Sequence, residues 1–138
     1  MKFTRKATAN WKGTGMEGKG TITTQSTTLN HAQLSFKTRF EEGVGTNPEE
    51  LIAAAHSGCF TMQLSFLISE LGHVPEDLST EAQVTFEDGS ITQIHLDLKA
   101  KVAGITEAVF QETAAKAKAI CPISKLLKAE ITLTAILV

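Results

Sequence analysis

From Ile94 to Val102 apolar and polar side chains alternate one by one. Ile94, Leu96, Leu98, Ala100 and Val102 fall on one face, and His95, Asp97, Lys99 and Lys101 on the other. A period of two is the signature of a half-buried strand. Just upstream, Ala82, Val84 and Phe86 alternate with Glu81, Gln83 and Glu87. Asp88-Gly89, between the two runs, is a strong hairpin signal. One wet face and one dry face per strand is the habit of antiparallel sheets. The same period opens the chain, with Phe3, Arg5, Ala7, Ala9 and Trp11 opposed to Lys6, Thr8 and Asn10. A turn region rich in glycine follows (Gly13, Gly15, Gly18, Gly20), and no Lys-Ser/Thr comes after it to build a phosphate cradle. Gly20 to Thr28 suits a strand with one wet face. The spacing also predicts a strand over 32–40, with Leu34, Phe36, Thr38 and Phe40 on one side and Ser35, Lys37 and Arg39 on the other.

Helices are expected in three places. Pro48 suits a first helical turn, Glu49 and Glu50 suit the positive end of the helix dipole, and Thr46 or Asn47 can cap it. From Leu51 to Ser69 no Asp, Glu, Lys or Arg interrupts the sequence. This helix is predicted to reach Leu71 and stop at Gly72, with a bend near Ser57-Gly58. Thr106-Glu107 opens a second helix that ends near Cys121-Pro122, and Ser124 to Lys128 forms a short third. Ile131, Leu133, Ala135 and Leu137 form a last strand. Strands and helices come in runs, which argues for an α+β fold with antiparallel sheets in a single domain over residues 1–138. The long helix is apolar on more than one face, and one six-strand sheet can cover only one. A second copy of the chain is the simplest cover, so a homodimer with these helices in its core is expected.

Charge changes little in this picture. Net charge is −2 and no basic cluster stands out, so binding to nucleic acid through phosphates is not expected. The uncharged run is near the ~20 residues of a membrane span. His56, Ser57, Gly58, Thr61, Gln63, Ser65 and Ser69 lie within it, however, and acidic residues rather than basic anchors flank it. A buried helix is the expectation, with no membrane. The basic N-terminus, Met1 to Lys6, has no apolar stretch of the secretory kind after it. Two distant cysteines do not make a secreted disulfide framework, so a cytoplasmic protein is expected.

The chemistry rests on those two cysteines. Cys59 lies inside the apolar helix, where a free cysteine commonly serves as a small hydrophobe. Cys121 sits directly before Pro122 at a helix start, where free N–H groups and the dipole favour a thiolate. The two are too far apart for a Cys-x-x-Cys motif. His56 and Cys59 form His-x-x-Cys, but no second pair stands at zinc-ligand spacing. His56 is also within one turn of Cys59, without an obvious third group to orient it as a base. His31, His73 and His95 are scattered. A reactive Cys59 needs a cation. Arg39 is the candidate in sequence, with Glu49 or Glu50 to hold its guanidinium in a bidentate pair. On a straight helix Glu49 and Cys59 are ~15 Å apart, so a shared site needs the reach of Arg39 or a bend.

The run Gly45-Thr46-Asn47-Pro48-Glu49-Glu50-Leu51-Ile52-Ala53-Ala54-Ala55-His56-Ser57-Gly58-Cys59-Phe60, with Ala119-Ile120-Cys121-Pro122-Ile123-Ser124-Lys125-Leu126-Leu127-Lys128 downstream, closely resembles the OsmC/Ohr family of thiol-dependent peroxidases. Trp11-Lys12-Gly13, Gly18-Lys19-Gly20 and Thr38-Arg39-Phe40 resemble the osmotically inducible OsmC branch. The resemblance implies an intertwined homodimer, with two long helices back to back, sheets wrapped around them and active sites at the subunit interface. It matches Cys59 to the peroxidatic cysteine and Cys121 to the resolving one. It matches Arg39 to the activating arginine and Glu49 to that arginine's partner, while Glu50 is variable. One departure is the short turn Glu87-Asp88-Gly89-Ser90, where relatives often carry a longer loop.

The implied chemistry is reduction of organic hydroperoxides and H2O2 by the Cys59 thiolate, giving a sulfenic acid that Cys121 converts to a disulfide. An external dithiol then restores both thiols, with no cofactor or metal. Phe60, Met62 and Phe66 would favour an organic tail. Read from the residues alone, two alternatives stay open: a redox sensor or thiol-disulfide carrier without turnover, and a non-enzymatic binding or structural dimer.

Overall fold

The computed structural model describes all residues, Met1–Val138. It divides into two compact units, Met1–Leu51 and Ile52–Val138. In the first, strands β1 (Ala7–Lys12), β2 (Lys19–Thr24) and β3 (Ala32–Leu34) form an antiparallel sheet in the order β1-β2-β3. Trp11 pairs with Gly20 across the sheet. A Cβ on Gly20 would meet the Trp11 ring at 2.5 Å, so only glycine lets the indole lie there. The indole N–H donates to the carbonyls of Gly13 and Thr14, each at 3.1 Å.

The strand expected over 32–40 stops at Leu34. Helix α1 (Phe36–Phe40) follows, and Arg39 sits on it rather than on a strand. Ser35 and Thr38 account for the difference. The Ser35 hydroxyl accepts from the Thr38 N–H at 3.1 Å, and the Ser35 N–H donates to the Thr38 hydroxyl at 2.8 Å. This reciprocal capping satisfies two donors at the helix start, and it wins over the alternation. Phe36 and Phe40, one turn apart, have ring centroids 4.9 Å apart.

Helix α2 (Pro48–Glu70) is the longest element. Asn47 caps it, accepting from the Glu50 N–H at 2.7 Å, and the Thr46 hydroxyl donates to the Glu50 carboxylate at 2.7 Å. At the other end Gly72 takes φ +85, while the Gly72 and His73 N–H groups return to the carbonyls of Ser69 and Ile68. That pairing satisfies two of the orphan carbonyls of the last turn. The helix runs without interruption through Ser57 and Gly58. The division between the two units falls within α2, after Leu51.

In the second unit β4 (Pro75–Glu87) and β5 (Ser90–Val102) form the expected hairpin, turning at Asp88-Gly89 with both residues at positive φ. Helix α3 (Glu107–Ile120) is capped by Thr106, helix α4 (Pro122–Leu126) follows, and β6 (Glu130–Leu137) closes the chain. The sheet order is β4-β5-β6, and β6 lies parallel to β5, the exception to the antiparallel expectation. A chain that leaves β5 and returns through two helices comes back in the same direction. There are thus two three-stranded sheets rather than one sheet of six. Ile94, Leu96, Leu98, Ala100 and Val102 are buried, as the alternation predicts. They pack with Phe60, Leu64, Leu67 and Ile68 of α2 and Phe110, Ala114 and Ala117 of α3. Helix α2 is long and apolar enough to cross a membrane, but this face of it is the core of the unit.

Candidate functional site

Cys59 lies on α2, one turn from the cap-distant end of the Ala53–His56 segment, and is half-buried. Cys121 is fully buried where α3 ends and α4 begins. Its N–H donates to the Ala117 carbonyl at 3.0 Å, and its own carbonyl accepts from the Lys125 N–H at 3.0 Å. Pro122 suits this junction, since the first helical position needs no N–H donor. These constraints set the Cys121 thiol 2.8 Å from the Cys59 sulfur, in hydrogen-bond contact with it. Both are free thiols. A disulfide requires ~2.05 Å between sulfurs, so the bond can form with a small closing movement.

Burial pushes the Cys59 thiol above its ordinary pKa, and the contact with the neighbouring Cys121 thiol adds to this, while a backbone hydrogen bond from Ile123 pulls it down. The opposing influence is the expected one at a helix start, but it does not prevail.

His56, one turn before Cys59, is fully buried. Its Nε2 meets the Ser124 hydroxyl at 2.7 Å, and its Nδ1 is buried without a partner. Burial holds its pKa below the ordinary histidine value. The group that orients His56 is therefore Ser124, a contact that residue spacing could not show.

The first unit assembles the other two predicted residues. Nε and Nη2 of Arg39 donate to Oε1 of Glu49 at 3.1 and 3.0 Å. The pair is not the two-oxygen fork expected, because Oε2 of Glu49 is buried and takes no hydrogen bond. Glu50 has a different task, bonded to Thr46 and the Asn47 cap. Arg39 also lies over the Phe40 ring at 5.1 Å and borders a pocket of about 250 Å³ lined by Trp11, Leu34, Phe36, Phe40 and Pro48. Phe60, expected near the substrate, is a core residue, whereas Met62 and Phe66 are exposed. The residues thus gather as two pairs, Arg39 with Glu49 and Cys59 with Cys121, one in each unit. No cluster of His, Cys, Asp and Glu stands at metal-binding spacing.

The family model for OsmC-like proteins matches residues 40–135, well over half of the chain. The protein belongs to the OsmC family. Among curated OsmC relatives, the peroxiredoxin OsmC of Escherichia coli (strain K12) is 45% identical over 137 residues, covering 96% of each chain. The organic hydroperoxide resistance protein OhrB of Bacillus subtilis superposes with a TM-score of 0.71 at 26% identity, over 99% of this chain and 98% of that one. An OsmC-like protein from Mycoplasma pneumoniae superposes with a TM-score of 0.79 at 13% identity, over 100% and 99% of the two chains, and so supports the fold alone. This OsmC-family chain keeps both cysteines of its sequence as a facing pair.

Proposed function

We propose that this protein is a thiol-dependent peroxidase that reduces hydroperoxides through Cys59 and Cys121. The observation that carries the reading is the opposed pair of free thiols, 2.8 Å apart, with the half-buried Cys59 open to a peroxide and Cys121 held inside. The 45% identity to a peroxiredoxin and the likeness to an organic hydroperoxide resistance protein support the same chemistry.

The Cys59 thiolate attacks the distal oxygen of ROOH. The O–O bond breaks, ROH leaves with a proton, and Cys59 becomes a sulfenic acid. The Cys121 thiol then displaces that oxygen as water and forms the Cys59–Cys121 disulfide. An external dithiol reduces the disulfide by exchange. Within its own unit Cys59 is held above its ordinary pKa, so the thiolate needs a cation. Arg39 supplies it, and Glu49 orients Arg39. The largely apolar pocket beside Arg39 suits an organic tail, which favours organic hydroperoxides over H2O2.

Two copies form the working enzyme, and all of residues 1–138 act as one functional domain. Ala54, Ala55, Gly58, Met62 and Phe66 leave an exposed, largely apolar stripe along α2. Ten residues of unbroken helix, ~15 Å of rise, separate Glu49 from Cys59. A second copy covers the stripe, and the arginine and cysteine pairs meet at the interface. The enzyme works in the cytoplasm, where reduced thiols persist.

The test is consumption of cumene hydroperoxide and of H2O2 with dithiothreitol as reductant. Wild type turns over both, the organic substrate faster, and Cys59→Ser abolishes turnover. Full activity in that variant ends the proposal. Rapid disulfide formation without sustained turnover would make the protein a carrier or sensor instead. A solution mass equal to one chain would remove the dimer.

A further inference from the structure

His56 precedes Cys59 by three residues on α2, and Ser124 follows Cys121 by three residues on α4. The two spacings match, and so do the two contacts: sulfur to sulfur at 2.8 Å, and imidazole Nε2 to hydroxyl at 2.7 Å. The contacts form two adjacent rungs between the same pair of helices. We infer that the His56–Ser124 hydrogen bond is a positioning device for the disulfide step, holding Cys121 opposite Cys59.

Three observations support it. Helix α4 has only five residues and none of them is fully buried, so packing alone secures it weakly. Cys121 makes no side-chain cap bond to that helix, which leaves its thiol free to point at Cys59. His56 is fully buried with Nδ1 unpaired, a cost to folding that an aliphatic residue would avoid. Burial keeps the imidazole neutral near pH 7. If Nε2–H donates to Ser124, the orphan Nδ1 is a bare lone pair rather than a stranded N–H, and carbonyl-type orphans of this kind are the ones proteins tolerate more readily. Ser124 is then the acceptor, and the rung carries no net charge.

The step served is Cys59–SOH plus HS–Cys121 giving Cys59–S–S–Cys121 plus water. The S–O bond breaks, the S–S bond forms, and the thiol proton leaves with the oxygen. In this form the inference rests on the peroxidase reading. The rung also sets the effective concentration of one thiol toward the other, whatever the oxidant, and that quantity separates the two claims.

The experiment equilibrates wild type, His56→Leu, His56→Gln, Ser124→Ala and the His56→Leu/Ser124→Ala double variant with glutathione redox buffers. The Cys59–Cys121 disulfide is quantified by peptide mass spectrometry, and circular dichroism confirms folding. His56→Leu and Ser124→Ala should each lower the effective concentration about tenfold, which is ~30 mV toward easier reduction. The double variant should be no worse than either single one. His56→Gln, whose amide nitrogen can replace Nε2, should recover most of the loss, which general destabilisation would not permit. A parallel arm adds cumene hydroperoxide and follows Cys59 thiol loss separately from disulfide formation, and the rung variants should shift the product from disulfide toward Cys59 sulfinic acid. Wild-type potentials in all variants, or a Gln variant as impaired as Leu, would overturn the inference. Failure of wild-type Cys59 to react with hydroperoxide would remove the peroxidase reading and leave the glutathione result to decide the rung.

Discussion

The cysteine pair and the arginine pair are built in opposite ways. Cys121 is pinned by backbone hydrogen bonds on both sides and fully buried, and its thiol meets Cys59 directly. Arg39 keeps 40% of its side chain exposed and is held through one oxygen of Glu49, which is itself 15% exposed. An exposed ion pair contributes little stability. The cysteine pair is thus organised by packing, and the arginine pair is organised for access. The difference teaches that this fold makes the thiol pair part of its core while leaving the proposed activating cation at the surface.

The sharpest way to break that comparison is Arg39→Ala. If the cation activates Cys59, the rate of peroxide attack at pH 7 should fall on the order of 100-fold, since each unit of thiol pKa is tenfold in thiolate. Arg39→Lys should recover only part of it, lacking the planar fork that Glu49 holds. Stopped-flow loss of the Cys59 thiol measures this, and an unchanged rate would make the cysteine pair self-sufficient. Glu49→Gln should cost less, roughly tenfold, because the arginine stays but loses its charged anchor. The same assay over pH sharpens the result. With Arg39 removed, burial and the Cys121 contact outweigh the Ile123 hydrogen bond and keep the Cys59 thiol up, so its rate should keep rising on the alkaline side after wild type has levelled off.

A smaller effect concerns His56. Its folded-state pKa is below the ordinary value, so the stability it contributes is present above pH ~6.5 and is lost as pH falls through the folded pKa. Denaturant titrations should show wild type losing stability on acidification relative to His56→Gln, which does not titrate. Parallel curves for the two proteins would contradict the burial effect. Smallest is Gly72→Ala. Nothing would touch the added Cβ, so only the positive φ resists it, at a cost of ~1 kcal/mol with activity retained.

These elements also show what the chain makes legible. In β5 the alternation persists over nine residues with charges on the wet face, and every predicted core residue is buried. Over 32–40 the same pattern misleads, because Phe36 and Phe40 are spaced for a helical turn as well as for alternation. The deciding signal, Ser35-x-x-Thr38, is a short cap that is easily outvoted by a period-two run. The parallel register of β6 depends on the path through α3 and α4, which local pattern does not encode. Among the site residues, Arg39 and Glu49 are near neighbours in the sequence, and their pairing follows from a short loop. The cysteine pairing was suggested by family resemblance, and the contact of His56 with Ser124 spans 68 positions that no periodicity links.

The central claim is that Cys59 and Cys121 of one chain work as a nucleophile and its resolving partner. The direct measurement treats fully reduced protein with one equivalent of cumene hydroperoxide, quenches it within a single turnover and maps the thiols by mass spectrometry. The expected result is one peroxide consumed per intrachain Cys59–Cys121 disulfide, and in Cys121→Ser a Cys59 that advances to sulfinic acid as peroxide is added. Peroxide consumption with both thiols intact, or unchanged turnover in Cys121→Ser, would contradict it.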